Sequence, residues 1–167
     1  MKERIFIPII CYNHMANTEF MMSLIRLTHH LRDNDISYCL YPIVFESLIP
    51  RARNAAAAHF LDSDCSHLLF IDADIEFEPE SVVKLLRHNR EVIAGVYPKK
   101  YYMWDRALTG EEAVDFPFGG EVHFNQDGLI ETTYLPTGFL MIKREVFIKI
   151  ASNKPELKYK NDIDGYG

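Results

Sequence analysis

Short apolar runs alternate with amphipathic stretches along this chain, and the alternation predicts its elements. "RIFIPII" (4–10) is apolar and rich in β-branched residues, too brief for a helix and suited to a strand covered on both faces. After the polar "YNHMAN", Asn17 is placed to cap a helix to about Leu31, because Phe20, Leu24, Leu27 and Leu31 recur on one face; Asp33 and Asn34 end it. "ISYCLYPIVF" (36–45) reads as a second strand. "SLIPRARNAAAAHFLDS" (47–63) reads as a loop entering an Ala-rich helix, with Pro50 in its first turn. "HLLFIDADI" (67–75) is a third strand, Glu78 to His88 a helix opened by Pro79, and "EVIAGVY" (91–97) a fourth strand.

Strands separated by helices in this order predict an α/β domain built on a mostly parallel sheet with helices on both faces. Residues 99–128 break the rhythm and read as a long irregular segment, with a hairpin near "GEVHFNQDGLIETTYL". Loops of that length in compact domains tend to be functional. "GFLMIKREVFIKIA" (138–151) then gives a strand running into a helix, and no internal repeat interrupts the chain. The final "PELKYKNDIDGYG" completes no element, so either a disordered tail or, for choice, a fragment of a longer protein is expected.

Composition narrows the partners. A chain of 167 residues, 48% hydrophobic and 25% charged, suits one globular domain. No apolar run approaches the roughly 20 residues that span a bilayer, and Met1 to Ile10 lacks the basic start of a signal peptide. A cytoplasmic location follows, the host's cytoplasm if the chain is viral. A net charge of −6 lacks the electrostatic footprint of a nucleic-acid binder. Cys11, Cys39 and Cys65 show no CxxC spacing and read as reduced thiols. The histidines show no HxxxH or HExxH spacing, and the adjacent His29 and His30 splay apart.

The candidate chemistry lies in "HLLFIDADIEFEP" (67–79), where a buried strand ends in Asp72 and Asp74. In open parallel sheets ligands bind beyond the carboxyl ends of the strands. Residues two apart on a strand face the same side, so both carboxylates are expected to address one ligand. Carboxylates held together repel unless a cation lies between them, and a hard ion such as Mg²⁺ or Mn²⁺ takes oxygen donors of this kind together with phosphate oxygens. The alternative is a solvated strand end, or a cap for the helix that starts near Pro79.

"FIDADIEFEP" after "RARNAAAAHF" resembles the nucleotide-sugar-dependent glycosyltransferases of the GT-A fold, in particular short family-2-like enzymes of bacteria and large algal viruses. "PIICYN" and "LPTGFLMIKREVF" are similar to that family's stretches at the base and behind the sugar and acceptor. The resemblance implies a single domain, 1–98 its nucleotide-binding half and 99–167 its acceptor side. It further implies a Mn²⁺ or Mg²⁺ cofactor, a nucleoside diphosphate sugar donor (a uridine one for choice), a glycan hydroxyl as acceptor, and inversion at the anomeric carbon. Asp74 would hold the ion directly, and Asp72 would hold the ribose or the ion through water. The family's acidic catalytic motif is not visible, and Asp162 and Asp164 are the carboxylates nearest its place.

Other positions carry two readings each. Pro8, Ile9, Cys11, Tyr12 and Asn13 follow the first strand and are candidates to receive the base through backbone groups and an aromatic surface, although Tyr12 equally suits packing. Arg51 and Arg53, two apart on a helix, cannot share a face, so one should reach the nucleotide or Asp72 and the other serve structure. Asn54 suits a ligand or a cap. Tyr97 and Lys99 are candidates for sugar and phosphate, or form a solvated loop. Gly138 either lets backbone approach the sugar or marks a bulge. Glu76 and Glu78 read as solvated or as favouring the next helix's N-terminus. Two rivals remain: a haloacid-dehalogenase-type phosphohydrolase, whose motif is also an apolar strand ending in Asp-x-Asp, and a sugar-nucleotide-binding domain without catalysis.

Overall fold

A computed structural model describes residues 3–44, 46–97 and 124–158, the side chain of Asn13 aside. Five strands, β1 (Arg4–Cys11), β2 (Ser37–Val44), β3 (His67–Ile71), β4 (Val92–Ala94) and β5 (Phe139–Lys143), form one open sheet in the order β2-β1-β3-β5-β4. Among the described residues four α-helices accompany them: α1 (Thr18–Asp33), α2 (Ile49–Asp62), α3 (Pro79–His88) and α4 (Arg144–Asn153).

The α/β class is as the pattern predicts, but the sheet is mixed. β1 pairs in parallel with β2 and β3, whereas β5 inserts between β3 and β4 antiparallel to both. Parallel neighbours need a crossover, supplied here by a helix, and an antiparallel one does not. Each of the first three strands is joined to the next through a helix, and β5 comes after the long segment that breaks this rhythm.

Strand alternation divides the core into two layers. Ile5 and Ile7 of β1, Leu69 and Ile71 of β3, and Phe139 and Met141 of β5 pack with Phe20, Leu24, Leu27 and Leu31 of α1 and Val82, Val83 and Leu86 of α3. Their sequence neighbours Phe6, Leu68, Phe70 and Leu140 face the opposite layer, where they meet Ala52, Ala56 and Phe60 of α2 and Phe147 of α4. All five residues of β3 are buried, as expected of a strand covered on both faces.

Some boundaries differ from expectation. β3 stops at Ile71, because the Ile75 N–H donates to the Asp72 carbonyl at 3.0 Å and closes a turn. β4 is only three residues long. Asn17 occupies the N-cap of α1 without a side-chain cap bond; its own N–H donates instead to the Ala73 carbonyl at 2.9 Å, tying the start of α1 to the turn after β3. The described part of the expected hairpin is a tight turn. Phe124 bridges Ile130, the Asn125 side chain accepts the N–H groups of Asp127 and Leu129, and Gly128 takes φ +72°.

Arg144 joins the start of α4 to the end of α2. Its Nε donates to the Cys65 carbonyl (2.7 Å), Nη1 to Leu61 (3.0 Å), and Nη2 to Phe60 (2.7 Å) and Ser63 (2.8 Å), with the guanidinium 4.6 Å from the Phe60 ring centroid. These carbonyls belong to the last turn of α2 and the loop beyond, at the negative end of the helix dipole, and the Phe60 carbonyl also accepts from the N–H and hydroxyl of Ser63. Arg144→Ala is expected to destabilise the protein by about 3 kcal/mol, since several charge-assisted bonds are lost together. Arg144→Lys should recover less than half of that, because one ammonium cannot match the planar fork. Urea unfolding measures both; a loss of under about 0.5 kcal/mol for Arg144→Ala would remove this role.

Candidate functional site

The topology fixes where a ligand fits. From β1 the chain passes through α1 to the outer strand β2, then returns through α2 to β3 on the other side of β1. A reversal of this kind opens a crevice between the carboxyl ends of β1 and β3. Pro8 helps to open it. Arg4 exchanges backbone bonds with Ser66, accepting its N–H at 2.9 Å and donating to its hydroxyl at 3.0 Å, so the even residues of β1 turn their backbone groups toward β3. Pro8 therefore faces β3 with no N–H to offer, and the β1–β3 register ends at Phe6↔Leu68 while β1–β2 pairing continues to Cys11↔Val44.

At the β3 side of this crevice stands Asp72. Arg53 Nη2 donates to Asp72 Oδ1 at 2.7 Å, and the guanidinium lies 5.2 Å from the Phe70 ring centroid. The arginine side chain is 16% exposed and the aspartate 48%, so the pair has a covered cation and an accessible carboxylate. The Asp72 N–H donates to the Gly138 carbonyl (2.9 Å), and the Gly138 N–H donates in turn to the Tyr97 hydroxyl (3.0 Å). Three separate elements thus converge on one aspartate. Arg53 Nε is buried and has no hydrogen-bond partner.

Arg51 points elsewhere, as its spacing from Arg53 requires. Its Nε and Nη2 donate to the two oxygens of Glu46 at 2.5 and 2.8 Å, and Glu46 Oε1 also accepts the Leu48 N–H at 2.9 Å. Glu46 is almost fully buried. It went unnoticed in the sequence; the signal was an acid between the β2 exit and the start of α2, five residues before an arginine. This pair holds the β2–α2 loop and so sets where Arg53 emerges.

The remaining candidates spread around the same edge. Pro8 and Cys11 are buried, so toward a ligand they offer backbone only, and burial pushes the Cys11 thiol up, away from thiolate chemistry. Ile9 is half-buried, and Asn13 lies in the short 3-10 turn Tyr12–His14 that follows β1. Tyr12 is 58% exposed, which makes it a free aromatic surface instead of core packing. Asn54 and Asp74 are exposed. Glu76 lies 3.8 Å from Arg26, and Glu78 is the N-cap residue of α3. Lys99, Asp162 and Asp164 lie outside the described residues.

One warrant for the aspartate pair changes. Because β3 ends at Ile71, Asp72 and Asp74 belong to a turn, and strand alternation does not bring them to one side. What remains is a pair of accessible carboxylates opening one turn at the crevice. Among the described residues no three His, Cys, Asp or Glu side chains gather as a metal site. The donor chemistry still suits a hard cation that takes one or two carboxylates and completes its shell with substrate phosphates and water. Asp72 Oδ1 already accepts from Arg53.

Two hollows are formed by other residues. One of about 670 Å³ sits at the amino end of the sheet beside Arg4, Arg32 and Asp64, where Arg4 is paired with Asp64. The other, about 590 Å³, follows β4 and the turn at Asn125. Neither includes Asp72 or Asp74. Among the described residues no helix is long and apolar enough to cross a membrane. No protein-family model matches the chain, and no curated protein matches it.

Arg51 and the Leu48 N–H hold the Glu46 carboxyl below the usual carboxylate range. A depressed acid stabilises the fold above its unfolded pKa, and that contribution is lost as pH falls through the folded value. Glu46→Gln is expected to lower the urea midpoint at pH 7, with the gap to the parent protein closing as pH drops below about 4. A gap independent of pH would show that Glu46 acts through packing alone.

Proposed function

We propose that this chain is a metal-dependent glycosyltransferase domain of the GT-A type, moving a sugar from a nucleoside diphosphate sugar, for choice a UDP-sugar, to a glycan hydroxyl with inversion. The observation that carries the proposal is the Arg53–Asp72 pair at the β1–β3 crevice, with Asp74 two residues on. A carboxylate pair at that place suits a diphosphate bridged through a divalent ion better than it suits a bare anion, which two negative charges would repel.

A Mn²⁺ or Mg²⁺ ion bound there would supply Lewis-acid neutralisation of the departing diphosphate. The chain's own groups do the rest. Asp74 contributes a ligand to the ion, and Asp72, oriented by Arg53, accepts from the ribose or an ion-bound water. Tyr12, exposed beyond β1, offers a face to the base, and the backbone of Pro8, Ile9, Cys11 and Asn13 lines that end of the crevice. Asn54 stands beside Arg53 at the start of α2. From its place after the fourth strand Lys99 serves the phosphates, and by resemblance Asp162 or Asp164 is the base that deprotonates the acceptor.

The phosphohydrolase rival needs Asp72 as a nucleophile. Arg53 engages Oδ1 of that carboxylate, and an aspartyl-phosphate analogue trapped at Asp72 would favour this rival instead. The binding-only alternative shares the nucleotide site and differs in turnover.

Calorimetry with UDP tests the proposal. Binding should require Mn²⁺, and Asp74→Ala should weaken it at least about 100-fold, the scale of a lost charged ligand. Binding of equal strength without metal, or no binding, would refute it.

A further inference from the structure

A buried serine interrupts the apolar face of α1. Phe20, Leu24, Leu27 and Leu31 are buried on this helix, and Ser23 among them has no exposed surface. Burying a hydroxyl is costly unless it is hydrogen-bonded, so its partners indicate its use. Ser23 Oγ accepts the Phe77 N–H at 3.1 Å and an Arg26 Nη2 proton, also at 3.1 Å, and the two bonds occupy both lone pairs of the hydroxyl.

Phe77 belongs to the segment that carries the acids. Past Asp72 the buried and exposed positions alternate: Ile75, Phe77 and Pro79 are buried, whereas Asp74, Glu76 and Glu78 are exposed. As in a strand, a slip of one residue would bury the carboxylates and expose the apolar side chains, so where this backbone is held decides where Asp74 stands. α1 holds it twice. The Asn17 N–H donates to the Ala73 carbonyl at 2.9 Å on one side of Asp74, and Ser23 accepts the Phe77 N–H on the other. Between these anchors the Ile75 N–H closes the turn onto the Asp72 carbonyl at 3.0 Å. The Phe77 ring, its centroid 6.4 Å from that of Phe20 and 5.6 Å from that of Phe139, keeps the segment on the core, but apolar burial is non-directional and does not aim a backbone.

We propose that Ser23 is a positioning residue for Asp74: its buried hydroxyl, by taking the Phe77 N–H, fixes the backbone on which that carboxylate is carried. Ser23 itself meets no ligand. The consequence for ligand affinity rests on the glycosyltransferase reading; the hold on the acidic turn does not.

Ser23→Ala removes the acceptor and leaves a good helix former in α1, so the protein folds. Hydrogen exchange followed by NMR reads the turn. The Phe77 amide loses its acceptor on any account; the informative amide is that of Ile75, bonded to Asp72 and not to Ser23. Relative to the amides of β1 in the same sample it should exchange about tenfold faster than in the parent protein, the scale of one hydrogen bond lost from a local unit. UDP–Mn²⁺ affinity, measured by calorimetry, should fall about tenfold as well. A serine that only stabilises the core would lower the urea midpoint and leave both readings where they are. Unchanged exchange at Ile75 overturns the proposal, and so does a variant that binds UDP–Mn²⁺ as tightly as a parent that binds it. If the parent protein binds no UDP while exchange at Ile75 still rises in the variant, the glycosyltransferase reading falls and the hold on the turn stands.

Discussion

Everything at the carboxyl edge depends on a single constraint, the attachment of the start of α2 to the end of β3 through Arg53 and Asp72. The helix and the strand belong to different steps of the chain and are joined here by a half-covered ion pair whose cation also rests on Phe70. Surface ion pairs contribute little to stability, and this one has a cost besides, since Arg53 Nε is buried without a partner. In the proposed reading the pair serves the ligand by holding one carboxylate at the crevice.

The rest of the fold prepares that edge. Pro8 stops β1 from zipping to β3, Glu46 and Arg51 set the loop from which α2 starts, and the reversed strand β5 delivers Gly138 beside Asp72. Arg144 secures the other end of α2, so the helix that carries Arg53 is held at both termini. Ala52 and Ala56 bury one face of α2 against the sheet with small side chains.

Much of this was legible in the sequence. The apolar runs marked the strands and most of the helix limits, because β-branched and aromatic stretches bounded by Asn, Pro and Asp leave few alternatives. The spacing of Arg51 and Arg53 required them to diverge, and they do. What was not legible depended on distant contacts. The end of β3 is set by a turn whose carbonyl at Ala73 also accepts from Asn17, and the place of β5 depends on which neighbour it reaches after a long excursion. Glu46 had only its place five residues before an arginine to mark it, since a lone acid in a loop is usually solvated, and only the fold encloses it with Arg51. The bond between Tyr97 and Gly138 was likewise invisible, because nothing local says that residues 41 apart meet.

The most direct test of the account is a crystal soaked with a UDP-sugar and Mn²⁺, with data collected at the manganese edge. The account predicts an anomalous peak beside Asp74, with the uridine lying between the ends of β1 and β3 and Arg53 still on Asp72. A nucleotide seated along β4 or at the amino end of the sheet, or manganese distant from Asp74, would contradict it.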